Sequence, residues 1–326
     1  MKTLNLLLLF ASLIFATNLS ASQEPPELKE AATLTTSVIS LYGQQKYDEA
    51  LPLAKRALQI REKLLPRTDP RVAEAWNNLG EIYIGKRDYE TARKAFERIL
   101  ELHKERVGPE GLELAPALDR LAPLYFRLRS YAKAEDAYKR ALAIREKALG
   151  NHQQVARSLF AIAEFYRVRH EFEPAMENYQ RSLRLYKQIS GTKTAEFERA
   201  REGFSCLGYA KPDLATEMKE VWKEFVDPDK ETIPEPGTVL NGKALSLPQP
   251  AYPEIASQLR LAGMVVVLVY IDETGNVISA RDMCQGPMYL SQASVAAALK
   301  ARFTPTKQSG VPVKVNGVIQ YNFVPR

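Results

Sequence analysis

Three histidines and two cysteines are the residues of this chain best suited to metal binding, proton transfer or redox chemistry. His103, His152 and His170 fall at unrelated places, two within helical stretches and one in a loop. That scatter is poor material for an ion site or a proton relay. Asp227-Pro228-Asp229-Lys230 brings two carboxylates together, but beside a proline the segment reads as a turn. No G-x-S-x-G elbow, phosphate-binding loop or dinucleotide glycine pattern occurs. The sequence therefore predicts a protein that is not an enzyme, with no catalytic residues, no cofactor and no metal. Cys206 and Cys284 lie 78 residues apart, neither beside a plausible base. They read either as two buried thiols or as a disulfide, which would close a loop worth roughly 4–5 kcal/mol in the chain-entropy model.

With 326 residues, 45% hydrophobic and 26% charged, the chain is globular and long enough for more than one domain. Its net charge of +6 is spread along helices and interleaved with acidic residues, so no nucleic-acid stripe forms. Lys2 precedes an apolar run from Leu4 to Ala16, followed by the small residues Ser20, Ala21 and Ser22. About 13 residues fall short of the roughly 20 that span a bilayer but suit a signal-peptide core. Residues 1–22 are expected to be a signal peptide, cleaved near Ala21–Gln23. The alternative is an uncleaved anchor that holds the protein at the inner membrane. In an oxidising compartment the two cysteines can pair.

The elements that must position any site come in copies. Tyr47, Tyr89, Tyr131 and Phe172 are spaced by 42, 42 and 41 residues, and three residues after each stands an alanine, Ala50, Ala92, Ala134 and Ala175. Trp76, Leu79, Gly80 and Tyr83 recur as Leu118, Leu121, Ala122 and Tyr125, and again as Leu159, Ile162, Ala163 and Tyr166. Spacings of three, four and seven predict two amphipathic helices per unit, which bury their apolar faces only by stacking. This pattern resembles the tetratricopeptide repeat in its long, kinesin-light-chain-like form, most closely over "YAKAEDAYKRALAIREKALG" (131–150). Four repeats are expected over 31–190, with capping helices over 191–226. The resemblance implies a groove lined by the first helix of each unit, at Thr36, Asn77, Asn78, Glu81, Asp119, Arg120, Phe126, Phe160, Glu164 and Arg167. Amide, guanidinium and aromatic groups in such a groove suit an extended peptide or protein ligand.

Prolines 234, 236, 248, 250 and 253 mark a change of texture, read as a linker over 227–237 and a second domain over 238–326. Asn241-Gly242 predicts a tight hairpin within 238–247, and 251–263 a short helix ending at Gly263. Met264–Asp272 reads as a central strand buried on both faces, turned by "DETGN" into an antiparallel neighbour over Val277–Cys284. A helix then follows Gly286-Pro287. A last strand over Val311–Val324 puts Val313, Val315, Ile319, Tyr321 and Phe323 on one face and Lys314, Asn316, Gln320 and Asn322 on the other. The expected fold is multidomain, an all-α helical-repeat solenoid followed by a small α+β domain with an antiparallel sheet.

"PAYPEIASQLRLAGMVVVLVYIDETGNV" and "ALKARFTPTKQSGVPVKVNGVIQYNFV" resemble the C-terminal domain of TonB proteins. The resemblance implies a last strand at a sheet edge, here Lys314, Asn316, Val318, Gln320 and Asn322, and the expected signal peptide implies a periplasmic location. A segment of an outer-membrane transporter would pair with that edge by strand addition. Two features depart from a force-transmitting TonB: no histidine precedes His103, and a linker over 227–253 reaches at most about 80 Å at 3.1 Å per residue. An inner-membrane motor is therefore not the expected partner. The reading is a periplasmic adaptor with two binding modules. A membrane-anchored energy transducer and a structural or dimerising C-terminal domain are the alternatives.

Overall fold

The structure is a computed structural model and describes residues 24–225, 243–258, 262–284, 286–308 and 310–324. The expected signal peptide, the linker with "DPDK" and the Asn241-Gly242 turn lie outside the described residues. The chain divides into two compact units, residues 1–102 and 103–326.

In the first unit, α1 (Pro26–Gly43), α2 (Tyr47–Leu64) and α3 (Pro70–Gly85) are followed by α4 (Tyr89–Val107), which runs past its end. Leu28 and Ala31 of α1 pack on Ala57 and Ile60 of α2. Gly80 is small because the Phe96 ring covers it: an added Cβ would come within 2.6 Å of that ring. Arg61 is buried and joins successive helices. Its guanidinium donates to Thr35 Oγ1 (3.1 Å), the Arg71 carbonyl (2.8 Å) and Glu74 Oε2 (2.9 Å).

The second unit continues with α5 (Leu114–Arg127), α6 (Tyr131–Leu149), α7 (Gln153–Val168) and α8 (Phe172–Ser190). The alanines at the repeat position, Ala50, Ala92, Ala134 and Ala175, are all fully buried, as close helix packing requires. Each turn between paired helices ends on a left-handed residue: Gln45, Arg87, Arg129 and His170, with φ of 60°, 60°, 59° and 61°. Lys46, Asp88, Ser130 and Glu171 then return their N–H to carbonyls five residues back, which closes each helix end. His170 is thus a turn residue. His152 caps α7, its Nδ1 accepting from the Gln154 N–H at 3.1 Å. His103 is half-buried in α4, and burial, then Arg106, hold its pKa below the usual value.

Beyond the repeats, α9 (Ala195–Ala210), a 3₁₀ turn (Pro212–Leu214) and α10 (Ala215–Trp222) complete the helical part. The small domain then runs β1 (Ala244–Ser246), α11 (Glu254–Gln258), β2 (Gly263–Ile271), β3 (Val277–Asp282) and α12 (Met288–Ala298). It ends with β4 (Arg302–Phe303), β5 (Lys307–Gln308), β6 (Val311–Pro312) and β7 (Val315–Phe323). Strand order in the main sheet is β3-β2-β7, antiparallel throughout, with β2 and β7 paired without interruption from Gly263↔Phe323 to Ile271↔Val315.

Two local expectations are corrected. The helix expected over 251–263 appears among the described residues as α11, and Gly263 opens β2 with φ 129°, a backbone shape suited to glycine, where it was expected to end the helix. The last strand is broken before Val315, because Val311–Pro312 folds back on β5 and Val313 donates to the Thr306 carbonyl (2.9 Å). Lys314 therefore lies outside β7.

The turn between β2 and β3 is built by Asp272. Its Oδ1 accepts from the N–H of Thr274 (2.9 Å) and Asn276 (2.8 Å) and from Thr274 Oγ1 (2.8 Å). Gly275 has φ 88°, and any side chain there would collide with the Phe303 carbonyl oxygen. The Asn276 N–H and then Thr274 pull the Asp272 carboxyl down to a pKa of about 2. A lowered folded-state pKa stabilises the fold above the unfolded value of about 3.9 and loses that effect as pH falls through the folded value. The Asp272 contribution should be intact above about pH 4 and fade on approach to about pH 2. A carboxyl-carbon NMR titration with a midpoint near 4 would contradict this.

Candidate interaction sites

The β2–β7 pairing determines which backbone groups stand at the sheet edge. Met283 N–H donates to the Val266 carbonyl at 2.8 Å, so even-numbered residues of β2 bond toward β3 and odd-numbered ones toward β7. The β7 partners of those odd residues are Val315, Gly317, Ile319, Tyr321 and Phe323. The N–H and C=O groups of Asn316, Val318, Gln320 and Asn322 consequently point away from β2. Among the described residues no strand lies beyond β7. At the opposite edge β3 is shorter and its pairing is shifted by a bulge at Tyr270/Ile271, a geometry that discourages further pairing.

The two faces of this sheet bury different things. Val265, Val267, Val269 and Ile271 pack with Ile319, Tyr321 and Phe323 against Leu290 and Ala297 of α12. Val266, Leu268, Met283 and Val318 join one core with Phe197, Phe204, Tyr209 and Trp222 of the helical part. Burying each large apolar side chain is worth roughly 1.5–3 kcal/mol, so the second face is an integral core. The Cys206–Cys284 disulfide crosses it, with Cα atoms 5.6 Å apart. Arg281 Nη1 reaches Glu202 Oε2 at 3.0 Å, and Arg167 Nη1 donates to the Cys284 carbonyl at 3.1 Å.

The groove candidates of the first unit are Thr36, Asn77, Asn78 and Glu81. Exposed Thr36 bonds back to the Ala32 carbonyl at 3.2 Å, Asn77 and Asn78 are half-buried on α3, and Glu81 accepts from Tyr42 Oη at 3.5 Å. In the second unit, Asp119 is engaged by buried Arg145 (Nη1–Oδ1 3.0 Å, Nη2–Oδ2 2.5 Å), which also donates to Ser158 Oγ at 2.6 Å. Arg120 stays exposed on α5. Phe126 packs edge-to-face on Tyr131 (5.4 Å) and Phe165 (6.0 Å), and Phe160 lies 6.0 Å from Tyr179. Glu164 accepts from Arg167 Nη2 at 2.7 Å and from the Tyr179 hydroxyl. Arg167 and Glu164 are thus engaged inside the protein, and Arg167 holds the small domain.

Around the Asp119–Arg145 pair lies a cleft of about 440 Å³, lined by Asp119, Tyr138, Arg145, Gln154, Arg157 and Ser158 among others. Burial, then Asp119 and Glu164, push the Tyr138 hydroxyl up to about 12, so it remains protonated at neutral pH. Tyr138, Arg145, Gln154, Arg157 and Ser158 were not singled out from the sequence. One signal was available: Arg61 and Arg145 stand two repeat lengths apart, each joining its own repeat to the helix that follows it. Among the described residues no cluster of three potential metal ligands occurs, and no helix is long and apolar enough to cross a membrane.

These elements define a helical-repeat protein joined to a small αβ interaction domain. The tetratricopeptide-repeat family model matches residues 29–105, 71–147 and 113–188, and the model of the Gram-negative bacterial TonB protein C-terminal region matches 248–325. The chain thus carries tetratricopeptide repeats followed by a TonB C-terminal domain. Both are non-catalytic protein-interaction modules. Among solved structures, it is similar to the nearly identical TPR-like repeats of a kinesin light chain from Podosopora anserina. That match has 14% identity and a TM-score of 0.53, over 61% of this chain and 94% of that one. It is also similar to aspartyl phosphate phosphatase F from Bacillus subtilis, with 16% identity and a TM-score of 0.52, over 61% of this chain and 50% of that one. At such identities the likeness is one of fold. No curated protein matches the sequence.

Proposed function

We propose that this protein is a periplasmic adaptor in which the repeats hold a peptide or protein and the edge of β7 pairs with a strand of a second partner. An outer-membrane transporter segment is the expected source of that strand, given the TonB C-terminal domain. The observation that carries the reading is β7 itself: nine residues, unbulged, with the backbone of Val318, Gln320 and Asn322 directed away from β2. Such an edge recognises an extended chain through main-chain hydrogen bonds. The Cys206–Cys284 bridge supports an oxidising compartment, where disulfides persist.

The outward backbone groups offer a selective test. Gln320→Pro removes an N–H that points away from β2, so the β2 ladder keeps its bonds while a partner strand loses one. A photo-crosslinker at exposed Asn322, in the native envelope, should capture a partner that Gln320→Pro loses with circular dichroism unchanged. Crosslinks indifferent to the proline, or none from β7 in the unmodified protein, would refute strand pairing.

A further inference from the structure

Around the Asp119–Arg145 pair, the cleft holds more hydrogen-bond donors than the protein itself uses. Asp119 gives both oxygens to Arg145, and Ser158 accepts from Arg145 while donating to the Gln154 carbonyl at 3.1 Å. The side chains of Tyr138, Gln154 and Arg157 make no hydrogen bond or ion pair among the described residues. Gln154 and Arg157 are exposed and share one stripe of α7 with Ser158 and Ala161. Arg145, also in the lining, is 7% exposed, and its Nε is buried without a partner. Equivalent positions in the first unit explain the open space. Thr35, Arg61 and Glu74 stand two repeat lengths before Asp119, Arg145 and Ser158. There Glu74 of α3 supplies the carboxylate that meets the arginine, whereas in the second unit α5 supplies it and α7 carries a serine. The volume that a glutamate side chain would take is left to the cleft.

We propose that this cleft receives the carboxylate of a peptide, from an acidic side chain or a C-terminus, which pairs with Arg157 and accepts from Tyr138 and Gln154. The inference deepens, and rests on, the reading of the repeats as a partner-holding surface. Charge sets the class of ligand. Asp119 and Arg145 neutralise each other, so Arg157 leaves a single positive charge, which one carboxylate matches and a phosphate dianion exceeds. A guanidinium–carboxylate bond is also about twice as strong as a neutral one. Glu164, the other acid close to Tyr138, has its oxygens taken by Arg167 and the Tyr179 hydroxyl. Burial, then Asp119 and Glu164, keep the proton on Tyr138 at neutral pH, so the hydroxyl is there to donate.

The test exposes the immobilised full chain to two short random peptide libraries, one capped at both ends and one with free C-termini, and sequences what is retained. Acidic residues should be enriched at one position by about tenfold or more. Enrichment confined to the free C-termini would assign the terminal carboxylate instead of a side chain. Arg157→Glu, at an exposed position, should abolish the preference for carboxylates and favour lysine or arginine in its place. Tyr138→Phe keeps the ring that packs on Phe165 and should weaken the acidic preference by about tenfold. Circular dichroism confirms that both variants fold. The proposal is overturned if retained peptides show no preference for a carboxylate in either library, or if that preference survives Arg157→Glu. Either result leaves the repeats as a peptide-holding surface, whereas retention of no peptide at all would overturn that reading together with the inference.

Discussion

Replacing Cys206 and Cys284 together by alanine should lower the stability of the second unit by about 4–5 kcal/mol. The bridge spans 78 residues, so breaking it restores a large share of the unfolded chain's freedom. Against this, the folded state loses little, since alanine fits where a buried sulfur stood. The effect should appear as a lower urea midpoint, read from Trp222, which is buried in the shared core. Trp76 belongs to the other unit and should first be replaced by phenylalanine. The oxidised parent treated with reductant should shift to the same midpoint as the double variant. A change below about 1 kcal/mol would mean that the unfolded chain is already restricted by residual structure.

A second large effect is expected at Val266. Its side chain is fully buried on the β2 face that joins the helical core, opposite Met283 and Gln320 in the strand pairing. Val266→Asp would place a carboxyl among Phe204, Leu268 and Val318. Burying it costs more than removing the methyl groups alone, so a loss of at least about 4 kcal/mol is expected. If the small domain were merely tethered, this face would meet water and the substitution would be nearly neutral. A urea midpoint within about 0.5 kcal/mol of the parent would therefore reject an integral interface. The contrast matters for function, because an integral interface presents β7 as part of one body with the helices of its unit.

Much of the architecture was legible in the residues because it follows from local periodicity. The alanines every 42 or 41 positions are buried where two helices must approach, and the "DETGN" turn is closed by its own aspartate. The alternation in β7 was equally readable, since side chains of a strand divide between two faces. The departures came where distant segments compete for one backbone. The extended run from Val311 gave way because β5 offered it a partner, and Lys314 thereby left the edge. Among the groove candidates, Asn77 and Asn78 lie half-buried on α3, while Asp119, Glu164 and Arg167 are held by ties made within the protein.

By itself the sequence determined the helix pairs, the central strand with its antiparallel neighbour, and the absence of catalytic motifs. Each depends on spacing within a few tens of residues. Only the tertiary structure decided what covers the second face of the sheet, that Cys206 meets Cys284, and that Arg167 binds the chain's own carbonyl. An apolar strand face records that it must be buried, but not by what. Complementary shape across 60 to 120 residues selects the occupant, and no local period encodes it.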